Sequence, residues 1–294
     1  MSRKPIIKPG FVGVLLFLPL GCLTPSASKV VREDSCLQAY ARFYRDPVID
    51  IRVLFGYKDT RPLRFVGDRY ERNTFVEQLT GPCLESETAC AFSRSADDGD
   101  RFEKKIVIYD GTTRTVQISV SHSSVGPDDD ENLKDSYQKW QSEVAQTNFF
   151  SGLEMAHAIF YHGHSRNGGG PDFSPPVIRP DGHVDYGRYM KEKPGVAPML
   201  AAIQKRKNPG LLALLSCISS GHFAQTIEKT DPQLALITHR KLLYYDTGRK
   251  SLMGALNALL GNWCQPGFDN AICEKGPKGQ ACASPLDPSL IHFF

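Results

Sequence analysis

Two reactive side chains stand at the ends of short apolar runs in this sequence. Ala158-Ile159-Phe160-Tyr161-His162-Gly163-His164 passes from apolar residues into a glycine-punctuated loop, Ser165-Arg166-Asn167-Gly168-Gly169-Gly170. Leu211-Leu212-Ala213-Leu214-Leu215-Ser216-Cys217 does the same ahead of Ile218-Ser219-Ser220-Gly221. Each run has the length and composition of a strand buried on both faces, and open parallel sheets place their sites at the carboxyl ends of such strands. The 53 positions between His164 and Cys217 leave room for a long loop and one crossover helix, so the two strands can be parallel neighbours with both tips on one edge. A thiol near neutral pH is mostly protonated, and a useful nucleophile needs a neighbouring imidazolium, a helix N-terminus, or both. Cys217 is offered both: His164 can face it, and a helix predicted from Ser219/Ser220 would turn its positive dipole end toward the sulfur. The chemistry expected of this pair is acyl transfer through a thioester followed by hydrolysis.

The elements that must position the pair are legible as an alternation. Asp110-Gly111 is a hairpin turn signal between Ile106–Tyr109 and Thr115–Val120, because type I′ turns need positive φ. After the first expected core strand, Val116–Val120, come a helix over 130–148, a strand over 157–161, a helix over 197–207, a strand over 211–216, a helix over 220–229, a strand over 234–238 and a helix over 249–260. This pattern predicts an α/β fold, a mostly parallel sheet flanked by helices on both faces. Ahead of it, residues 36–105 carry a helix near 37–44, a strand over 51–57 and a helix over 69–79, read as an N-terminal α+β elaboration. The expected organisation is a signal peptide at 1–22, a tether at 23–35, the elaboration at 36–105, the α/β core at 106–262 and a cysteine-rich, disulfide-stapled tail at 263–294.

At Phe160-Tyr161-His162-Gly163-His164 and Leu214-Leu215-Ser216-Cys217 the sequence resembles the caspase, legumain and gingipain clan of cysteine peptidases. The resemblance covers about residues 106–262 and implies a caspase-like sheet, a Cys-His dyad and a peptide or protein substrate. It implies no cofactor. The clan's histidine motif can be laid on this chain in two registers: His162-Gly163 gives His-Gly directly, and Gly163-His164 gives Gly-His-Gly with Ser165 in place of the last glycine. His164 is favoured because it lies at the loop end, with His162 as the alternative. The backbone N–H groups of Ser165 and Cys217 would serve as oxyanion donors. Arg166 and Asp172, in the long loop that follows, are expected to border the substrate cleft.

The ends of the chain speak of export. Arg3, Lys4 and Lys8 precede an apolar segment over 11–20 that is too short to span a bilayer. Leu18-Pro19-Leu20-Gly21-Cys22 resembles a bacterial lipoprotein box, which implies lipidation at Cys22 and a membrane-anchored protein, periplasmic or at the cell surface; ordinary cleavage near Ser26-Ala27-Ser28 is the alternative. Of eight cysteines, Cys22 and Cys217 have these separate roles. The remaining Cys36, Cys83, Cys90, Cys264, Cys273 and Cys282 suit three disulfides in an oxidising compartment, with Cys83 and Cys90 able to close a short loop. A formal net charge of +3 and the lack of basic runs interleaved with aromatics argue against nucleic acid.

Two other functional classes fit the same residues. One is an inactive descendant of the fold that binds protein partners at the cell envelope, with Cys217 an inert core thiol. The other is a metal-dependent hydrolase using His162, His164 and His183, since a His-x-His spacing on a strand puts both rings on one face. No metal is expected, and Asp128-Asp129-Asp130-Glu131 lacks the alternation of a calcium loop.

Overall fold

The computed structural model describes residues 27–58, 67–84, 87–127, 129–208, 210–264, 267–268 and 271–272. The segment over 1–22 expected to be a signal peptide, with Cys22, and also Cys273 and Cys282 lie outside the described residues. The chain is α/β, with a seven-stranded sheet in the order β2-β3-β4-β1-β5-β6-β7. Its strands are β1 (Val48–Phe55), β2 (Ser93–Arg94), β3 (Arg101–Val107), β4 (Thr113–His122), β5 (Ala158–His162), β6 (Leu211–Leu215) and β7 (Ala235–Thr238). Strands β4, β1, β5, β6 and β7 run parallel, while β3 and β2 continue the sheet antiparallel beyond β4. The β3–β4 connection is the expected turn, with Gly111 at φ 80°.

Helices cover both faces, as βαβ crossovers of one hand require. On one face lie α1 (Ala27–Phe43), α2 (Asp68–Thr80) and α8 (Tyr245–Leu260), which bury Tyr40, Phe75 and Leu256 against Val53, Phe160 and Ala213. On the other lie α4 (Gln138–Met155), α6 (Val196–Gln204) and α7 (Gln225–Thr230), which bury Phe149, Ile203 and Ile227 against Ile159, Leu212 and Leu214. Two short helices, α3 (Asp129–Asn132) and α5 (Tyr186–Glu192), sit in connections. Among the described residues, no helix is long and apolar enough to cross a membrane.

Three expectations are corrected. The segment over 36–105 is no separate elaboration: β1 is a central strand, paired with β4 on one side and β5 on the other. Its sequence, Val-Ile-Asp-Ile-Arg-Val, disguised this because two charged residues alternate with the apolar ones. Both are satisfied beneath α4: Arg52 Nε lies 3.4 Å from Asp50 Oδ2, and its Nη1 donates to Asn148 O at 3.1 Å and Ser151 Oγ at 2.8 Å. The tether expected over 23–35 is helical from Ala27, as part of α1. The helix expected over 130–148 is split into α3 and α4.

Among the described residues, two disulfides fasten the fold. Cys83–Cys90 closes the short loop foreseen from spacing, and Cys36–Cys264 joins α1 to the chain just after α8. Beside the second bond, the Tyr40 hydroxyl donates to Trp263 O at 2.6 Å and the Tyr44 hydroxyl to Leu259 O at 3.0 Å. Cys217 is a free thiol.

Candidate active site

The strand order reverses beside β1, and there the carboxyl ends of an open parallel sheet form a crevice. Strands β5 and β6 are adjacent and parallel, with His162 opposite Leu215. Two residues beyond those partners come His164 and Cys217, on neighbouring tips. Both side chains meet the segment that leads into α8. The Leu243 N–H donates to Cys217 Sγ at 3.3 Å and the thiol donates back to Leu243 O at 3.6 Å. The Tyr245 hydroxyl lies 3.1 Å from His164 Nε2. Leu243 and Tyr245 are two positions apart, about 7 Å of extended chain, so one stretch of backbone serves both tips.

The turn that carries Cys217 is strained. Ser219 N donates to Ser216 O at 3.3 Å, and between them Ile218 takes φ 52°, a left-handed conformation that is an outlier for a β-branched residue. Such strain persists only where surroundings over-determine it. Here Ile218 N donates to Lys241 O at 2.9 Å, Ser220 N donates to His239 O at 3.0 Å, and Ser219 Oγ donates to Leu214 O at 2.7 Å while accepting from His239 N at 2.9 Å. The expected helix does begin at Ser220, but its first five residues, Ser220–Ala224, wind as a π-helix before α7. Among the described residues, no acceptor takes the backbone N–H of Ser165 or of Cys217. Among the described residues these two donors are thus unengaged, and they flank the pair.

The histidine loop is braced from below. A Cβ on Gly163 would stand 2.4 Å from the Tyr161 hydroxyl, so only glycine lets the chain turn over that ring. The same hydroxyl donates to His164 O at 2.9 Å and accepts from Asp172 N at 2.9 Å. Burial pushes the Tyr161 phenol above its ordinary range, which keeps it a donor. Arg166, expected at a cleft edge, is instead enclosed, with a side chain 0% exposed. Its Nε donates to Asp172 Oδ2 at 2.7 Å and its guanidinium lies over the Tyr189 ring, 5.6 Å from the centroid. The physical reason is the left-handed turn at Arg166 and Asn167, φ 45° and 51°, which is held by this buried pair. Asp172 borders a cavity of about 230 Å³ together with Phe173, Arg188 and Tyr189.

His162, the alternative register, is packed rather than presented. It is 2% exposed, edge-on to Phe55, and so close under α8 that a Cβ on Gly248 would lie 2.2 Å from its Nε2. Lys58, itself fully buried, sets its Nζ 3.2 Å from His162 Nδ1 and 4.4 Å from the centroid of the Tyr245 ring.

Burial, helped by Arg166 and Lys58, pushes the His164 pKa down to about 3. Burial, helped by Lys58, Arg249, His239 and His164, holds His162 well below the ordinary range. The imidazolium expected to activate Cys217 is therefore replaced by a neutral imidazole at pH 7, which holds no charge to stabilise a preformed thiolate. Burial likewise lowers Lys58 to about 8, against the opposing pull of Glu71 and Asp68.

Lys58 and Tyr245 were not anticipated from the sequence. A signal for Lys58 exists: Leu54-Phe55-Gly56-Tyr57-Lys58 repeats the pattern of Tyr161-His162-Gly163-His164, an apolar strand, a glycine and a basic residue. Tyr245 carries none. The metal alternative finds no site, because His183 lies exposed in the loop after β5. Among the described residues, no three His, Cys, Asp or Glu side chains are grouped as a metal ion would require. Set against known proteins, the chain matches no family model, no curated protein and no solved structure.

Proposed function

We propose that this protein is a cysteine peptidase, with Cys217 as nucleophile and His164 as its proton acceptor. The observation that carries the reading is the placement of the two side chains on the tips of adjacent parallel strands, both engaged by the one segment Leu243–Tyr245. With Nε2 held by Tyr245, Nδ1 of His164 takes the thiol proton as Sγ attacks the carbonyl carbon of a peptide bond. The oxyanion is received by the N–H groups of Ser165 and Cys217. The proton on His164 then passes to the leaving amine, the C–N bond breaks, and water hydrolyses the thioester to regenerate the thiol. Ile218, Leu242 and Tyr244, exposed beside the thiol, give the cleft an apolar rim for the substrate chain. Export, with Cys22 lipidated and the domain held at the envelope, belongs to the same proposal.

The Leu243 backbone contacts the sulfur through both its N–H and its C=O, and this favours a second reading, a non-catalytic envelope protein that binds protein partners. A mixed-sequence peptide library separates the two. Hydrolysis by the wild-type protein that Cys217→Ala abolishes supports the peptidase; hydrolysis that survives the substitution removes Cys217 from the chemistry.

A further inference from the structure

Lys58 is a cation enclosed with little to balance it. It is 0% exposed, and its contacts among the described residues are the imidazole of His162 and the ring face of Tyr245, neither of them an anion. Burying an ammonium without a carboxylate in contact is costly. The nearest opposite charges are on α2, Glu71 and Asp68, and both are committed elsewhere. Glu71 pairs with Arg249 at 2.8 Å, and Asp68 accepts from Ser123 N at 2.7 Å and Ser124 N at 2.8 Å.

What the ammonium does touch leads to His164. It lies on the face of the ring whose hydroxyl stands 3.1 Å from His164 Nε2, and that ring also meets the imidazole edge-on, 5.8 Å between centroids. A lysine on an aromatic face fixes the ring in place, and a ring nitrogen's partner decides which tautomer an imidazole adopts. The charged and titratable groups that face His164 are Lys58 beyond β1, Arg166 on its own loop, Tyr245 at the head of α8 and the thiol of Cys217 on the neighbouring strand tip. His162 faces it from β5. None of these is an anion that would favour an imidazolium.

We propose that Lys58 and Tyr245 are positioning residues for His164: Tyr245 accepts the Nε2 proton and so fixes the tautomer and the plane of the imidazole, while Lys58 seats the Tyr245 ring. Neither side chain needs to touch substrate. This inference deepens the peptidase reading and rests on it for its consequence in catalysis, but its test does not depend on turnover.

The test is long-range proton–nitrogen NMR of the histidine rings in the full 15N-labelled chain, followed from pH 8 to 4. Wild-type His164 should show a single tautomer, protonated at Nε2, and no titration midpoint above pH 5. Lys58→Met, which releases the Tyr245 ring, should give a mixture of tautomers, and Lys58→Arg should restore the single one. Tyr245→Phe should leave the protein folded and give a mixture of tautomers. A tautomer population indifferent to Lys58→Met, or to Tyr245→Phe, overturns the assignment. If Lys58→Met does not fold, Lys58→Gln supplies the same comparison. Loss of peptide hydrolysis without any change in these spectra would strike the peptidase reading instead.

Discussion

His164 and Tyr245 are 81 positions apart in the chain and 3.1 Å apart at Nε2 and the phenol oxygen. The contact exists because α8 returns across the carboxyl ends of β5 and β6 and begins at Tyr245, immediately after Leu243 has met the thiol of Cys217. One helix start thus orients both members of the proposed dyad, and the predictions below test what it holds in place.

The two histidine registers should separate in experiment. His164→Ala is expected to lower the rate of peptide hydrolysis by about 10²–10⁴-fold, the usual contribution of a positioned proton-transfer group, with the thermal midpoint nearly unchanged. His162→Ala should reverse this, costing about 1–3 kcal/mol through the cavity it leaves beneath α8. Equal losses of activity at equal stability would contradict the assignment.

Gly248→Ala should be severe for one methyl group. Its Cβ would lie 2.2 Å from His162 Nε2, so either α8 or the imidazole must move. We expect a loss of about 1–3 kcal/mol in urea titrations, with Cys217 becoming more reactive toward iodoacetamide as the Leu243 contact loosens. Unaltered labelling and stability would mean that α8 is free to shift.

Acid should destabilise the fold early. In the unfolded chain these histidines protonate near pH 6.5, whereas burial holds folded His164 to about 3 and His239 to about 4. Below pH 6.5 the unfolded state therefore binds more protons, and stability falls as pH falls, by up to about 1.4 kcal/mol per pH unit for each histidine. The decline should run from pH 6.5 to about 4, where His239 begins to protonate in the folded state as well. His239 Nε2 has no partner among the described residues, and His239→Asn should make the urea midpoint less sensitive to pH across this window. A midpoint flat from pH 7 to 4.5 in the wild type would refute the account.

Replacing Cys36 and Cys264 by serine should cost more than replacing Cys83 and Cys90. The first pair closes a separation of 228 residues and the second one of 7, and loop entropy assigns them about 5 and 2 kcal/mol. Denaturant unfolding of the two double variants checks the order.

The alternation after Val120 was readable because its strands are apolar on both faces and its helices are periodic, so β5, β6, β7, α6 and α8 fall close to their expected places. Strand β1 was misjudged for a local reason, the charges of Asp50 and Arg52, which pair with each other while α4 offers acceptors to the guanidinium; no window of sequence displays that partner. The reactive pair was visible in the way two strands end. Its surroundings were not, since Lys58 and Tyr245 approach from 104 and 81 positions away from the histidines they meet. Arg166 shows the opposite error: a charged residue in a glycine loop suggested a rim, and the buried bond to Asp172 made it a strut.

The link between Cys36 and Cys264 closes almost the whole folded chain into a covalent ring. A protease that nicks any loop within it releases no fragment. The pieces stay joined through sulfur, and a cut molecule migrates as a single band until reductant is added. A clipped form thus persists with its sheet intact.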